Sequence, residues 1–439
     1  MPTLAQQRMQ GRLNSFQLSM LQWNELHPYN AVHVVRIPEA LDPERLKGAV
    51  AATLEGKGLT GLALDPSAGA YQYYGGPASA EIRLNGTDGP AASALAEEME
   101  CQLNTPFPHL ERFSPFRFFV FSEDHSFSLG LVYFHAVADA ESIVFLLRDI
   151  VDTYRGTGDP AGANPMERYP ARRDNLLRHF PGVLARKLAS LPGSIRSMRR
   201  TCRPHYREPG DFSNKYMFFS LGAESWGGMV QAAKSWNITL NDLFLALLMK
   251  AVSPLAPDRA GAGRRRNLSL GCIVNTRRVL EADGRRTFGL FLGSFVVHHE
   301  APAGIGLGDL AQAIGRQTLP IKQKQLYLGS SLELSFGRLM MALFSEQRRK
   351  KLYQKHYPLW GGLTNMNLNA LWPQPEETPP VDYFRAVSTG PVTPLVLSIT
   401  SIGQVANIGL TYRSTVFGPP EIERVKASFL DPLGPLAHP

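Results

Sequence analysis

Residues 133 to 140 read Tyr-Phe-His-Ala-Val-Ala-Asp-Ala. They set His135 and Asp139 four positions apart, after an apolar run and before an amphipathic one. A histidine at the end of a strand can present its imidazole to a cleft. An aspartate one tight loop later can lock the local geometry. The pairing suits a general base that takes a proton from a hydroxyl or an amine. Asp139 also stands where the cap of the following helix belongs. Taken alone, a histidine at a strand end is more often a satisfied structural residue than a catalyst.

Working outward, Phe116 to Phe121 and Phe127 to Phe134 are two aromatic-rich runs. Glu123, Asp124, His125 and Ser126 separate them, which predicts a hairpin. After Asp139, residues Ile143, Leu146, Leu147, Ile150, Val151 and Tyr154 recur at helical spacing, and Gly156 and Gly158 end the run. Upstream, Asn14 to Leu26 reads as a helix stopped by His27-Pro28, and Ala31 to Ile37 as a valine-rich strand. Asp42-Pro43 opens a helix with Asp42 as cap and Leu46, Val50 and Leu54 as its buried stripe. Residues 65 to 90 read as short strands and turns.

Downstream, the composition changes. Residues 156 to about 208 begin with glycine and proline and become basic, with Arg168, Arg172, Arg173, Arg178, Arg186, Lys187, Arg196, Arg199, Arg200, Arg203 and Arg207. This is the best boundary in the chain. Beyond it the alternation of strand and helix resumes. Lys215 to Leu221 reads as a strand, and Thr239-Leu-Asn-Asp242 as a capping box opening a helix through Leu243 and Leu247. Further strands are expected at Leu268 to Val274, Phe291 to His299, Leu395 to Ile399 and Ala406 to Tyr412, a turn at Gly361-Gly362, and a closing helix at Glu421 to Phe429. The expectation is an α/β protein with an N-terminal lobe at 1–165, a basic linker at 166–208 and a C-terminal lobe at 209–439.

The chain has 439 residues, 44% of them hydrophobic and 19% charged, which fits a packed globular protein of more than one core. Three scattered cysteines, Cys101, Cys202 and Cys272, show neither metal-ligand spacing nor a disulfide framework. No leader and no run of about 18 apolar residues is seen, so a cytoplasmic protein is expected, with contact at the inner face of a membrane as a variant of that expectation. A net charge of +8 favours anionic partners, and since no nucleic-acid module is present, cofactor phosphates, acidic carrier proteins and lipid rank above nucleic acid.

With these pieces in hand, the chain resembles the condensation-domain branch of the chloramphenicol acetyltransferase-like superfamily, which includes wax ester synthase-like acyltransferases. The resemblance runs over nearly the whole chain. It rests on Leu18-Ser-Met-Leu-Gln-Trp23 with Tyr29-Asn30, Leu41-Asp-Pro-Glu-Arg-Leu46 and Phe134-His-Ala-Val-Ala-Asp-Ala140. Thr239-Leu-Asn-Asp242, Val274-Asn-Thr-Arg277, Gly289-Leu-Phe-Leu-Gly293 and the strand from Gly403 to Tyr412 follow in the family's order. The family pattern is His-His-x-x-x-Asp-Gly. Here Phe134 stands for the first histidine and Ala140 for the glycine, a residue that eases a tight turn; alanine fits there if φ is negative.

The resemblance implies a freestanding unit of two lobes in a V-shaped pseudo-dimer, with His135 in a tunnel between them. It implies acyl transfer from an acyl thioester, either acyl-coenzyme A or a phosphopantetheinyl carrier protein, to a hydroxyl or amine on a small molecule or lipid. No cofactor would be tightly bound. Asp139 would be structural, paired with Arg277, with Arg278 as the runner-up. Ser294 and Asn365 are loose candidates for contacting substrate. A monomer would suffice, since two fused lobes already form the cleft. The reading from another class is a non-catalytic scaffold that binds a carrier protein or lipid.

Two other features have bland and sharp readings. His298-His299 beside Glu300 invites a metal, but neighbours on a strand point to opposite faces and do not share an ion. The basic stretch with Phe180, Val183, Leu184, Leu188 and Leu191, and the run Leu339 to Leu343 followed by Arg348-Arg-Lys-Lys351, read either as solvated faces of packed helices or as docking surfaces for a membrane or an acidic carrier protein.

Overall fold

The computed structural model describes residues 9–78, 81–85, 91–157, 181–256, 259, 263–280, 287–372 and 382–430. The part of the basic stretch at 158–180 lies outside the described residues.

Along the chain the strands are β1 (Met9–Arg12), β2 (Asn30–Ile37), β3 (Leu62–Asp65), β4 (Ala70–Tyr73), β5 (Ile82–Asn85), β6 (Phe116–Glu123) and β7 (Ser126–Phe134). They continue with β8 (Lys215–Leu221), β9 (Leu268–Asn275), β10 (Leu292–His299), β11 (Gly361–Asn367), β12 (Asp382–Val387), β13 (Leu395–Ile402) and β14 (Val405–Tyr412). The helices are α1 (Ser15–Asn24), α2 (Pro43–Gly56), α3 (Ala91–Asn104), α4 (Ala140–Arg155), α5 (Pro181–Arg199) and α6 (Ala223–Ser235). After these come α7 (Leu240–Val252), α8 (Leu307–Gln323), α9 (Ser330–Leu343), α10 (Glu346–His356), α11 (Leu368–Leu371) and α12 (Pro419–Leu430).

These elements form two compact units built from interleaved segments. The first comprises residues 1–175, 275–292 and 367–388; the second comprises 176–274, 293–366 and 389–439. The reading from composition drew contiguous lobes. It had no means of seeing that 275–292 and 367–388 leave the second half to complete the first unit.

The first unit holds a five-stranded sheet in the order β12-β2-β7-β6-β5 and a small sheet in the order β1-β4-β3. Strand β7 is central and buried along its whole length. It pairs antiparallel with β2, Asn30 opposite Phe134, and with β6, Phe116 opposite Tyr133. The β6–β7 hairpin is tighter than expected, with only Asp124 and His125 between its strands. Gly130 is required there because the Phe119 ring lies across it: a Cβ would stand 2.1 Å from that ring. On the far side, β12 pairs antiparallel with β2, Arg385 opposite His33. Side chains alternate across a sheet. The registers therefore place His33, Tyr133, Tyr383 and Arg385 on one face.

Local signals start the helices where the sequence places them. Asn14 and Gln17 form a capping box on α1, and Asp42 caps α2 with Pro43 in its first turn. Asp139 caps α4, which ends on Gly156 in the left-handed region at φ 76°. The stripe Ile143, Leu146, Leu147, Ile150, Val151 and Tyr154 is buried.

The second unit holds a six-stranded sheet in the order β10-β9-β11-β13-β14-β8. Its core helix is α7, started by the Thr239–Asp242 capping box and buried on nearly every side. Gly361-Gly362 is not a turn but the start of β11, parallel to β9. Glycine at 361 serves close packing: a Cβ would stand 3.2 Å from Leu248 and 3.3 Å from Leu270.

Candidate active site

His135 is the first residue past β7, so the central strand delivers it. Its backbone N–H donates to the Tyr29 carbonyl at 3.2 Å. The Tyr29 ring stacks on the imidazole, centroids 5.5 Å apart and planes within 9°, and Tyr133 meets it edge-on at 5.5 Å. The imidazole Nδ1 lies 3.1 Å from the Ala138 carbonyl. A carbonyl only accepts, so Nδ1 carries the proton and Nε2 presents its lone pair. Nε2 has no hydrogen-bond partner among the described residues. The residue is 8% exposed. Burial lowers its pKa to about 4, against a smaller opposing effect of the Ala138 carbonyl, so the ring is neutral at pH 7.

Asp139 makes no bond to that ring. Its Oδ1 accepts from the Ser142 N–H at 2.9 Å and from Arg277 Nη2 at 2.7 Å, and its Oδ2 accepts from the Phe291 N–H at 2.9 Å. The structure thus brings Asp139 and Arg277 together, and each side chain is nearly sealed from solvent. Arg277 also donates from Nη2 to Ser142 Oγ and from Nη1 to the Thr287 carbonyl, both at 2.7 Å. Its guanidinium lies 4.2 Å from the Phe291 ring centroid, and its Nε is 3.5 Å from Glu141. Arg278, the runner-up, is exposed.

Gly289 closes the cage. Its carbonyl accepts from the Asp139 N–H and from Ser142 Oγ, each at 2.9 Å. The cap of α1 holds the loop from its other side: Gln17 Nε2 donates to the Ala136 carbonyl at 2.9 Å and Asn14 Nδ2 to the Leu290 carbonyl at 3.3 Å. The four residues from His135 to Ala138 are therefore held at both ends, with the imidazole fixed through Nδ1 and its Nε2 left unused.

Sequence reasoning missed Ser142, Gly289 and Phe291 as members of this cage. Ser142 had a signal, since it is three residues after a cap, where the N–H that a cap accepts is found. The Gly289 and Phe291 contributions are backbone groups, which residue type does not mark. Missed too was His33, buried with Nδ1 2.6 Å from Tyr383 Oη and Nε2 3.5 Å from Tyr133 Oη. Burial first, then the neighbouring Arg385 charge, holds His33 well below the ordinary histidine pKa.

Both departures from the family pattern have a local explanation. Ala140 is the first residue of α4 and is not among the residues with positive φ, so nothing there calls for glycine. Phe134 is fully buried and packs with Phe107, Phe113 and the stacked His109 ring.

Ser294 and Asn365 belong to the second unit, and their bonds lie within it. The Ser294 N–H donates to Ser330 Oγ at 3.2 Å, and Asn365 Nδ2 donates to Asn241 Oδ1 at 2.8 Å. His298 Nδ1 bonds Ser269 Oγ at 2.6 Å while His299 Nδ1 accepts from the Ala301 N–H. Among the described residues no cluster of histidine, cysteine and carboxylates could hold a metal ion. A pocket beside the loop, lined by Gln17, Tyr71, Tyr73, Ala136, Val137 and Phe288, has a volume of about 20 Å³. That is room for a water and not for a substrate.

No protein-family model matches the chain. No curated protein matches it. Solved structures do. The first condensation domain of the calcium-dependent antibiotic synthetase, in complex with a substrate analogue, superposes with a TM-score of 0.71 at 17% identity, over 98% of this chain and 97% of that one. The condensation domain of the monacolin K polyketide synthase MokA gives 0.70 at 14% identity, over 98% and 97%. The X-domain from teicoplanin biosynthesis, solved in complex with OxyB, gives 0.61 at 14%, over 99% and 94%. The chain therefore has the chloramphenicol acetyltransferase-like fold of condensation domains, two sheet-containing units flanked by helices.

Proposed function

We propose that this protein is an acyltransferase with His135 as its general base. One observation carries the reading: the loop is caged and its neutral imidazole, bonded through Nδ1, keeps the Nε2 lone pair unused among the described residues. In the reaction, Nε2 takes the proton from an acceptor hydroxyl or amine as its oxygen or nitrogen bonds to the thioester carbonyl carbon. The tetrahedral oxyanion then expels the thiolate by breaking the C–S bond, and the imidazolium returns the proton to the sulfur. Burial disfavours a lone imidazolium, so the charge persists only beside the developing oxyanion. The donor is acyl-coenzyme A or an acyl group on a carrier protein. A basic chain suits both, since each bears phosphate and a carrier protein is acidic.

The test is release of free thiol from acyl-coenzyme A or an acyl-loaded carrier protein, in the presence of alcohols and amines. His135→Ala should lose about 10²–10⁴-fold in turnover with the melting transition preserved. Equal turnover in the variant would remove His135 from the chemistry.

A second reading is a recruiting platform, favoured by the likeness to an X-domain that was solved bound to another protein. Under it, His135→Ala leaves the biological output unchanged and no donor yields thiol.

A further inference from the structure

Helix α9 holds out three bulky apolar side chains: Phe336 is 65%, Leu339 55% and Leu343 70% exposed. At 100° per residue they share one side of the helix. Ser330 and Met341 are its buried residues, and Gly337 lies against the Tyr353 hydroxyl of α10. Those three mark the packed side, and the apolar stripe falls opposite. Lys187 of α5 pairs with Glu333 of α9 at 2.7 Å, so the two helices are neighbours within the second unit. Helix α5 adds Leu188 and Ile195, seven positions apart and each more than half exposed.

Arg196, Arg199 and Arg200 are exposed at the end of α5, and Arg199 shares the side of that helix that carries Leu188 and Ile195. The exposed Arg348, Lys351 and Lys355 of α10 lie opposite Tyr353 on that helix and so face away from the stripe. Helix α5 contains no acidic residue. The two acids of α9 and α10 are each held by a lysine, Glu333 by Lys187 and Glu346 by Lys350. The positive charge of α5 is left uncompensated next to its exposed leucine and isoleucine.

We propose that this surface of the second unit docks on an anionic lipid bilayer. The stripe of α9 enters the boundary between headgroups and acyl chains, and the arginines at the end of α5 reach lipid phosphates. Charge complementarity alone would also fit an acidic protein. Such a partner would still have to offer a groove shaped for five projecting apolar side chains, whereas a fluid bilayer answers both the charge and the stripe without a shape match. No single helix among the described residues is long and apolar enough to cross a membrane, and the proposed attachment is to one leaflet. The proposal is independent of the chemistry proposed for His135.

Flotation of the full chain with two kinds of vesicle tests it, phosphatidylcholine alone and equal parts phosphatidylcholine and phosphatidylglycerol. The protein should float with the mixed vesicles and stay behind with the neutral ones, and added salt should weaken binding. Combined Phe336→Ser, Leu339→Ser and Leu343→Ser, or combined Arg196→Glu, Arg199→Glu and Arg200→Glu, should each lower partitioning at least about tenfold. Melting curves check that the variants fold, and Leu343→Ser alone serves if the combined variant does not. Equal flotation with both vesicle kinds, no flotation, or a variant that floats like the parent overturns the proposal. So does a dimer that the serine variant converts to monomer, or an acidic carrier protein that binds this surface when vesicles do not.

Discussion

Asp139 and Arg277 are 138 positions apart in the chain and meet at 2.7 Å inside the first unit. The pair ties the loop after β7 to residues 275–292, the segment returned from the second half. A buried ion pair of this kind holds geometry more than it adds stability, but losing one member strands the other. Arg277→Ala should therefore cost about 3–5 kcal/mol in denaturant unfolding. Asp139→Ala combined with Arg277→Ala should cost less than the sum of the two single variants. Additive losses would mean that the two side chains act separately.

The buried state of His135 makes a pH prediction. Its folded pKa, about 4, lies below the ordinary 6.5. Between those values the unfolded chain binds more protons than the folded one. The stability that comes from keeping the ring neutral is therefore complete above 6.5 and is lost as pH falls toward 4. It amounts to roughly 3 kcal/mol. His33 shifts in the same direction, so the His135 share is the difference between the parent and His135→Gln across that window. Under the proposed chemistry, kcat/KM stays flat through neutral pH and turns down only near pH 4, as the free enzyme protonates. A bend near the ordinary histidine value would show that the base is solvated.

Ala140 can be tested by restoring the family's glycine. The residue sits in the first turn of α4 with helical backbone. Ala140→Gly should cost up to about 1 kcal/mol through chain entropy and helix propensity, and should leave turnover within about twofold. A large gain in rate would show that the turn needs the freedom of glycine after all.

What could be read from the sequence was what travels within about one helical turn. The caps at Asp42, Asp139 and Thr239 each show as an acceptor side chain three residues before the N–H it accepts from, and each is in place. The stripe from Ile143 to Tyr154 shows by its spacing. Strand partners across the chain did not show. Nothing in Asp382–Val387 marks it as a neighbour of Asn30–Ile37, because antiparallel pairing depends on where the chain is carried between them. Gly361-Gly362 reads as a turn by composition, and only the side chains of Leu248 and Leu270 explain a glycine at 361 in a strand. Around the site, His135 and Asp139 are local and Arg277 came through its motif. The Phe291 N–H and the Gly289 carbonyl are groups that every residue carries, so no residue type could announce them.

The buried triad of Tyr383, His33 and Tyr133 tests how far such long-range pairing matters. Tyr383 arrives on β12, and its hydroxyl lies 2.6 Å from His33 Nδ1. All three side chains are buried. Tyr383→Phe keeps the ring and its edge-on contact with His33 but removes the oxygen, leaving Nδ1 without its bond in a site closed to water. The loss should be about 1–3 kcal/mol in stability, the cost of a stranded buried polar group. His33→Phe removes the group that would be stranded, so adding Tyr383→Phe to it should cost much less than Tyr383→Phe alone. The hydroxyl of Tyr383 makes no contact with His135, which the triad meets through the edge of the Tyr133 ring, so turnover in Tyr383→Phe should fall by less than about tenfold, with the downturn still near pH 4. A shifted downturn, measured beside the melting curve, would assign the triad a part in setting the basicity of His135.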